Sequence, residues 1–157
     1  MKSNNKKVAI ILAGGQGKRL RPYTLVVPKP LMPIKGRPII EIVINNLVKN
    51  KFNKIVLALN YKSDLIHAFF NKKNNNKYTV NFNYEKKELG TMGPVRMIKN
   101  LPKNFLVING DILTNLNINK FFNDHIKSKK LISVAVTNRK NLTNYGVFKI
   151  NNKKKVI

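Results

Sequence analysis

Apolar residues fall along this chain in two alternating arrangements, short unbroken runs and longer stretches with helical spacing, and the alternation sets the expected architecture. Val8, Ala9, Ile10, Ile11 and Leu12 form a run with no polar interruption, which suits a strand buried on both faces of a parallel sheet. Pro38 fits the first position of a helix, and Ile39, Ile40, Ile42, Val43, Ile44, Leu47 and Val48 give that helix a broad apolar face. Lys54 to Leu59 predicts a second parallel strand, and Ser63 caps a helix through Phe70 that turns Leu65, Ile66, Phe69 and Phe70 inward. After a loop rich in Asn and Lys, Thr79 to Tyr84 alternates with Val80, Phe82 and Tyr84 on one side, a third strand. A short helix is expected near Pro94 with Val95, Met97 and Ile98 inward, then a buried strand from Phe105 to Ile108. Asn117 caps a helix carrying Ile118, Phe121, Phe122 and Ile126, and strands are expected at Leu131 to Thr137 and Val147 to Ile150. Strands alternating with amphipathic helices predict a single α/β domain over residues 1–157, a layered sandwich with a mostly parallel sheet.

Ligands of such sheets bind beyond the carboxyl ends of the strands, so the residues there carry the candidate chemistry. The first strand runs into Ala13, Gly14, Gly15, Gln16 and Gly17, whose glycines permit a sharp turn and a close approach of backbone N–H groups to a ligand. Lys18, Arg19, Arg21 and Lys29 follow. Backbone donors with fixed cations behind them suit a polyphosphate. Two familiar phosphate loops are excluded: Lys18 precedes Arg19 rather than the Ser or Thr of a Walker A loop, and Leu20 stands where a dinucleotide fingerprint needs its third glycine. The strand from Phe105 delivers Asn109, Gly110 and Asp111 to the same edge, and the third strand delivers Glu85. His67 and His125 each fall on an expected helix and are read as structural.

Composition changes the picture less than its most conspicuous number suggests. The net charge is +25, but the cations are 26 Lys against 5 Arg, spread over the chain and accompanied by 25 Asn and 17 Ile. Joint enrichment in Lys, Asn and Ile is what AT-rich coding produces, and phosphate and base readers favour Arg clusters that are missing here. A solvated basic surface that attracts anionic substrates is expected, not a nucleic-acid partner. The sequence has no cysteine, which excludes disulfides and thiolate metal sites and fits a reducing cytoplasm. Val8 to Ala13 is too short for the apolar region of a signal peptide, and no run reaches the length of a membrane span.

The stretch from Leu12 to Leu20, with Pro22, Thr24, Pro28-Lys29-Pro30-Leu31, Pro33 and Gly36-Arg37-Pro38-Ile39-Ile40, resembles the signature of the sugar-1-phosphate nucleotidylyltransferases, the NDP-sugar pyrophosphorylases. Glu85 to Gly93 is similar to that family's E-x-x-x-L-G-T-x-G loop, and Asn144-Tyr145-Gly146-Val147 to its Y-G-V segment. The resemblance implies a Rossmann-like three-layer fold of the nucleotide-diphospho-sugar transferase type, and a reaction in which a sugar 1-phosphate oxygen attacks the α-phosphorus of a nucleoside triphosphate and expels pyrophosphate. It implies catalytic roles for Arg19 and Lys29, and nucleotide contacts from Leu12, Ala13, Gly14, Gly15, Gly17, Lys18, Glu85, Gly90 and Thr91. It further implies Mg²⁺ on Asp111 and sugar contacts from Tyr145 and Gly146. The G-R-P-I-I-E helix and the E-K-K-E-L-G-T loop look most like the hexose- or heptose-1-phosphate guanylyltransferases, and an ionised Glu85 would accept from the adjacent N–H donors of guanine, favouring GTP.

Family members continue to a Glu-Lys-Pro segment and a second metal-binding aspartate. This sequence has neither, and no Asp or Glu after Asp124. A C-terminally incomplete domain is therefore expected, whose open sheet edge would favour homo-oligomers. Three functional classes stay open at this point: the transferase, a nucleotide-binding fragment without catalysis, and a basic nucleic-acid-binding protein.

Overall fold

Strand β1 (Lys7–Leu12) occupies the interior of the sheet, paired on both edges, as its unbroken apolar run predicts. The computed structural model describes residues 7–71, 76–85 and 89–138. After β1 come a short hairpin, β2 (Pro33–Ile34) and β3 (Arg37–Pro38), then α1 (Ile39–Lys49), β4 (Phe52–Leu59), α2 (Ser63–Asn71), β5 (Thr79–Tyr84), β6 (Leu106–Asn109) and α3 (Ile118–Ser128). The four long strands stand in the order β5-β4-β1-β6, all parallel. Ile10 lies opposite Val56 on one side and Val107 on the other.

The two faces of the sheet are covered differently. Ala9, Ile11, Ile55, Leu57 and Leu59 pack beneath all three helices, meeting Ile40, Val43, Ile44 and Leu47 of α1, Ile66 and Phe70 of α2, and Ile118 and Phe122 of α3. The opposite face, Val8, Ile10, Val56 and Ala58, is covered by Val95, Ile98, Leu101 and Phe105. There the expected helix near Pro94 is a single 3₁₀ turn, Gly93–Met97, and Met97 is exposed rather than inward. Leu65 of α2 is likewise exposed, while Ile66 and Phe70 are buried.

The lower end of the sheet is closed by an aromatic pair. Phe52 and Phe122 meet edge to face at 5.1 Å, and the Lys7 ammonium sits 5.6 and 5.2 Å from their ring centres. That ammonium donates to Asn119 Oδ1 and, at 3.3 Å, to Asn123 Oδ1, tying β1 to α3. Burial, and then the neighbouring Lys51, lowers the Lys7 pKa from its ordinary value.

One expected strand is absent. Residues 131–138 have no regular pairing, and Leu131 and Ile132 are 99% and 77% exposed. An apolar stretch alone does not make a strand; a ladder partner must take up its backbone groups, and among the described residues 131–138 has none. The expected strand from Val147 to Ile150 lies outside the described residues. No helix among the described residues is long and apolar enough to cross a membrane.

The predicted N-cap of α3 is present: Asn117 Oδ1 accepts from the Lys120 N–H at 2.9 Å. Asn117→Ala is expected to lower stability by about 1 kcal/mol. A urea titration would check this, and an unchanged midpoint would remove the cap's contribution.

Candidate active site

Because the long strands are parallel, their carboxyl ends line one edge and bring four loops side by side. The chain moves outward from β1 through β4 to β5, then returns to place β6 on the other side of β1. A crevice at the strand ends is expected where the winding reverses, between β1 and β6. The glycine loop and the Asn109-Gly110-Asp111 turn flank it. Gly110 donates its N–H to the Leu12 carbonyl at 2.9 Å, and an added Cβ there would lie 3.3 Å from Ala13 Cβ, Ile11 Cγ2 and Leu12 O. Glycine at this position lets the turn bearing Asp111 close against the start of the glycine loop.

That closeness brings two predicted site residues into contact. The Lys29 ammonium forms an ion pair with Asp111 Oδ2, with both side chains about one-third exposed, 36% and 32%. Lys29 reaches the crevice because residues 29–31 form a 3₁₀ turn with Pro28 and Pro30 buried beneath it. Lys18 and Arg19 lie on another 3₁₀ turn, Lys18–Leu20, directly after the glycine loop, with both side chains exposed.

The glycine loop is fixed at both ends. Ala13, buried, donates its N–H to the Ala58 carbonyl at 2.9 Å, so this amide is committed to the sheet. Leu12 is half-buried at the end of β1. Gly14 packs against Asn60, where an added Cβ would fall 3.1 Å from Asn60 N and Cβ. Gly15 is exposed. Gly17 adopts φ 63°, and a side chain there would meet the Thr24 methyl at 2.9 Å. Thr24 is fully buried, and its hydroxyl donates to the Gly17 carbonyl at 3.0 Å.

Two strands away, Glu85 follows β5. Its N–H donates to the Leu59 carbonyl at 2.8 Å, its carbonyl accepts from Asn60 Nδ2 at 3.2 Å, and its carboxylate accepts from the Leu89 N–H. Gly90, at φ 75° with open space where a Cβ would stand, and Thr91 are both exposed on the loop that follows. The edge thus holds Glu85 and Gly90 on one side of the glycine loop and Asp111 on the other. Tyr145 and Gly146 lie outside the described residues.

Three residues at this edge had no role assigned from sequence: Thr24, Asn60 and Tyr61. Asn60 and Tyr61 directly follow the apolar run of β4, and the rule that ligands gather at the carboxyl ends of strands is a signal that singles them out. Thr24 sits within the long motif, but its contact with Gly17 depends on a fold-back that spacing does not reveal.

The metal-binding reading can be tested on the donors present. Among the described residues no three His, Asp or Glu side chains come together. Mg²⁺ is commonly held by one or two carboxylates plus substrate phosphates and waters. A single partly exposed carboxylate beside the glycine loop fits a cation that arrives on a triphosphate.

Comparison with known proteins places the chain in a family. The family model described as nucleotidyl transferase matches residues 8–157. The D-glycero-alpha-D-manno-heptose 1-phosphate guanylyltransferase of Aneurinibacillus thermoaerophilus is 34% identical over 143 residues, covering 88% of this chain and 60% of that protein. The mannose-1-phosphate guanylyltransferase catalytic subunit beta of Xenopus tropicalis is 33% identical over 144 residues, covering 88% of this chain and 40% of its own length. Among solved structures, HddC from Yersinia pseudotuberculosis complexed with GMP-PN superposes with a TM-score of 0.66 at 33% identity, over 76% of this chain and 54% of that one. The chain thus spans 60% or less of the length of each of these relatives.

Proposed function

The chain belongs to the nucleotidyl transferase family, and on that premise we propose that it takes part in transfer of a nucleoside monophosphate from a triphosphate, GTP in preference, to a sugar 1-phosphate. The observation that carries this reading is the meeting of Lys29 and Asp111 at the mouth of the glycine loop. A cation for phosphate and a carboxylate for a phosphate-borne metal stand where the two substrates would join.

In the proposed reaction a phosphate oxygen of the sugar 1-phosphate forms a bond to the α-phosphorus, and the bond from that phosphorus to the bridging oxygen of pyrophosphate breaks. Both reactants are polyanions, so catalysis consists mainly of alignment and charge compensation. Backbone N–H groups between Gly14 and Lys18 receive phosphate oxygens, with Leu12 and Ala13 as the fixed base of the loop. Arg19 offers a planar fork to the departing pyrophosphate, and Lys29 offsets charge between the substrates. Asp111 would hold Mg²⁺, which supplies charge neutralisation to the phosphates when bound. Tyr145 and Gly146 are proposed to approach the sugar.

For the base, Gly90 and Thr91 offer an open platform, and the Glu85 carboxylate matches the paired N–H donors of guanine. The two guanylyltransferase relatives and the GMP-PN complex of HddC support the same base. Glu85→Gln is expected to reduce the preference for GTP over ATP by about tenfold, the scale of one charge-assisted hydrogen bond. Competition binding of the two triphosphates would measure it, and an unaltered ratio would detach Glu85 from base choice.

The function is tested by calorimetric titration of the chain with each nucleoside triphosphate and Mg²⁺, followed by pyrophosphate release over a panel of sugar 1-phosphates. Selective binding of GTP with release is expected. Failure to bind any triphosphate by a folded chain would overturn the proposal, whereas binding without release would reduce it to a nucleotide-binding role.

A further inference from the structure

Tyr61 lies outside the glycine loop but reaches its frame twice. Its backbone N–H donates to the Gly14 carbonyl at 3.3 Å, and its hydroxyl donates to the Thr24 carbonyl at 3.1 Å. Thr24 in turn donates its hydroxyl to the Gly17 carbonyl at 3.0 Å, which also accepts from the Leu20 N–H at 2.9 Å. The carbonyls of the first and last glycines of the loop are therefore both held from behind by the same small network.

The geometry of the peptide unit gives this a consequence. In a trans peptide the C=O of one residue and the N–H of the next point in opposite directions. A Gly14 carbonyl turned to Tyr61 directs the Gly15 N–H away from Tyr61, and a Gly17 carbonyl turned to Thr24 directs the Lys18 N–H away from Thr24. An anion-binding loop needs its donors outward and its partly negative carbonyl oxygens withdrawn. We propose that Tyr61 and Thr24 are positioning residues that hold the glycine loop in its phosphate-receiving shape before any ligand arrives, and this rests on reading the loop as a phosphate cradle.

Two of the three braces are hydroxyl bonds, Tyr61 to the Thr24 carbonyl and Thr24 to the Gly17 carbonyl, and these can be removed one at a time, while the backbone hold on Gly14 stays in every variant. Tyr61→Phe keeps the ring and removes one donor; Thr24→Val keeps the shape and removes the other; Thr24→Ser keeps the donor and loses only the methyl. In the ligand-free chain, amide hydrogen exchange at residues 15–20 is expected to quicken in Tyr61→Phe and Thr24→Val, and to stay near wild type in Thr24→Ser. Affinity for GTP with Mg²⁺, read by calorimetry, is expected to fall about tenfold in the first two variants, the scale of one lost hydrogen bond in a preorganised site. Recovery in Thr24→Ser would support the hydroxyl as the agent.

Unchanged loop exchange and unchanged affinity in both donor-deleting variants, measured against a wild type that binds GTP, would overturn the inference alone. A folded wild type that binds no nucleoside triphosphate would overturn the reading of the cradle itself, and the brace's purpose with it.

Discussion

Asp111→Asn is expected to slow pyrophosphate release by on the order of a hundredfold or more, because loss of one preorganised charge at a phosphoryl-transfer centre typically costs that much. Lys29→Ala is expected to lose a similar factor. The two residues are ion-paired, so each deletion also changes the environment of the other. The double variant should then lose far less than the product of the single losses, as residues acting as a unit do. Stability should hardly register either change, since a pair this exposed contributes little to folding. Full activity in Asp111→Asn, in a preparation whose wild type turns over, would remove the metal-binding role. Simple multiplication of the two losses would show that the residues act separately.

Phe52→Ala is expected to produce the largest loss of stability, about 3 to 5 kcal/mol, the range for truncating a fully buried aromatic side chain. Phe52 is 0% exposed, and its removal opens a space between the start of β4 and α3 while taking away the ring that faces Phe122 and Lys7. Against the roughly 5 to 15 kcal/mol that hold an ordinary domain together, that loss is severe. The urea midpoint should drop sharply with an unaltered slope. A loss under about 1 kcal/mol would mean that the neighbours close over the gap.

The strands and helices around this core were legible because each carries its own periodicity. β1, β4, β5 and β6 appear where unbroken or alternating apolar runs predicted them, β4 beginning two residues earlier at Phe52. α2 begins at Ser63 and α3 directly after Asn117, their expected caps, whereas α1 begins at Ile39, because Pro38, expected as its first residue, belongs to β3 and precedes the helix. What stayed hidden depends on partners. Leu131 to Thr137 is as rich in β-branched and apolar residues as a strand, yet a strand is a relation between segments, and the pattern of one segment carries no information about the other. The hairpin of β2 and β3 escaped for another reason: its strands have two residues each, too short for any period. Its turn places both Lys35 and Gly36 at positive φ, 49° and 77°, the geometry of a two-residue hairpin loop. Glycine announces that geometry in a sequence and lysine does not.

The candidate site was legible as a set of motifs but not as an arrangement. The glycine loop, the Glu85 loop and Asp111 could each be placed at a strand end. That Lys29 would meet Asp111 depends on β1 and β6 being neighbours, and the braces from Thr24 and Tyr61 depend on a path the chain takes between Arg21 and Pro28. Spacing along a sequence reports local geometry well; contacts between distant segments become visible only once the sheet order is known.

The sheet order also bears on how the chain comes together during synthesis. β1 is the first of the four long strands to be made, yet its neighbour β6, which aligns Ala9 with Leu106, is the last. Partnerships across roughly a hundred residues are slow to form, because a long loop must close before any contact compensates for it. Until β6 is available, β1, the most apolar of the four long strands described, has one open edge, held only by β4. A nascent chain paused between these two strands would present that edge to other proteins in the cell, and chaperones that bind extended apolar segments would find Val8 to Leu12 their natural first target.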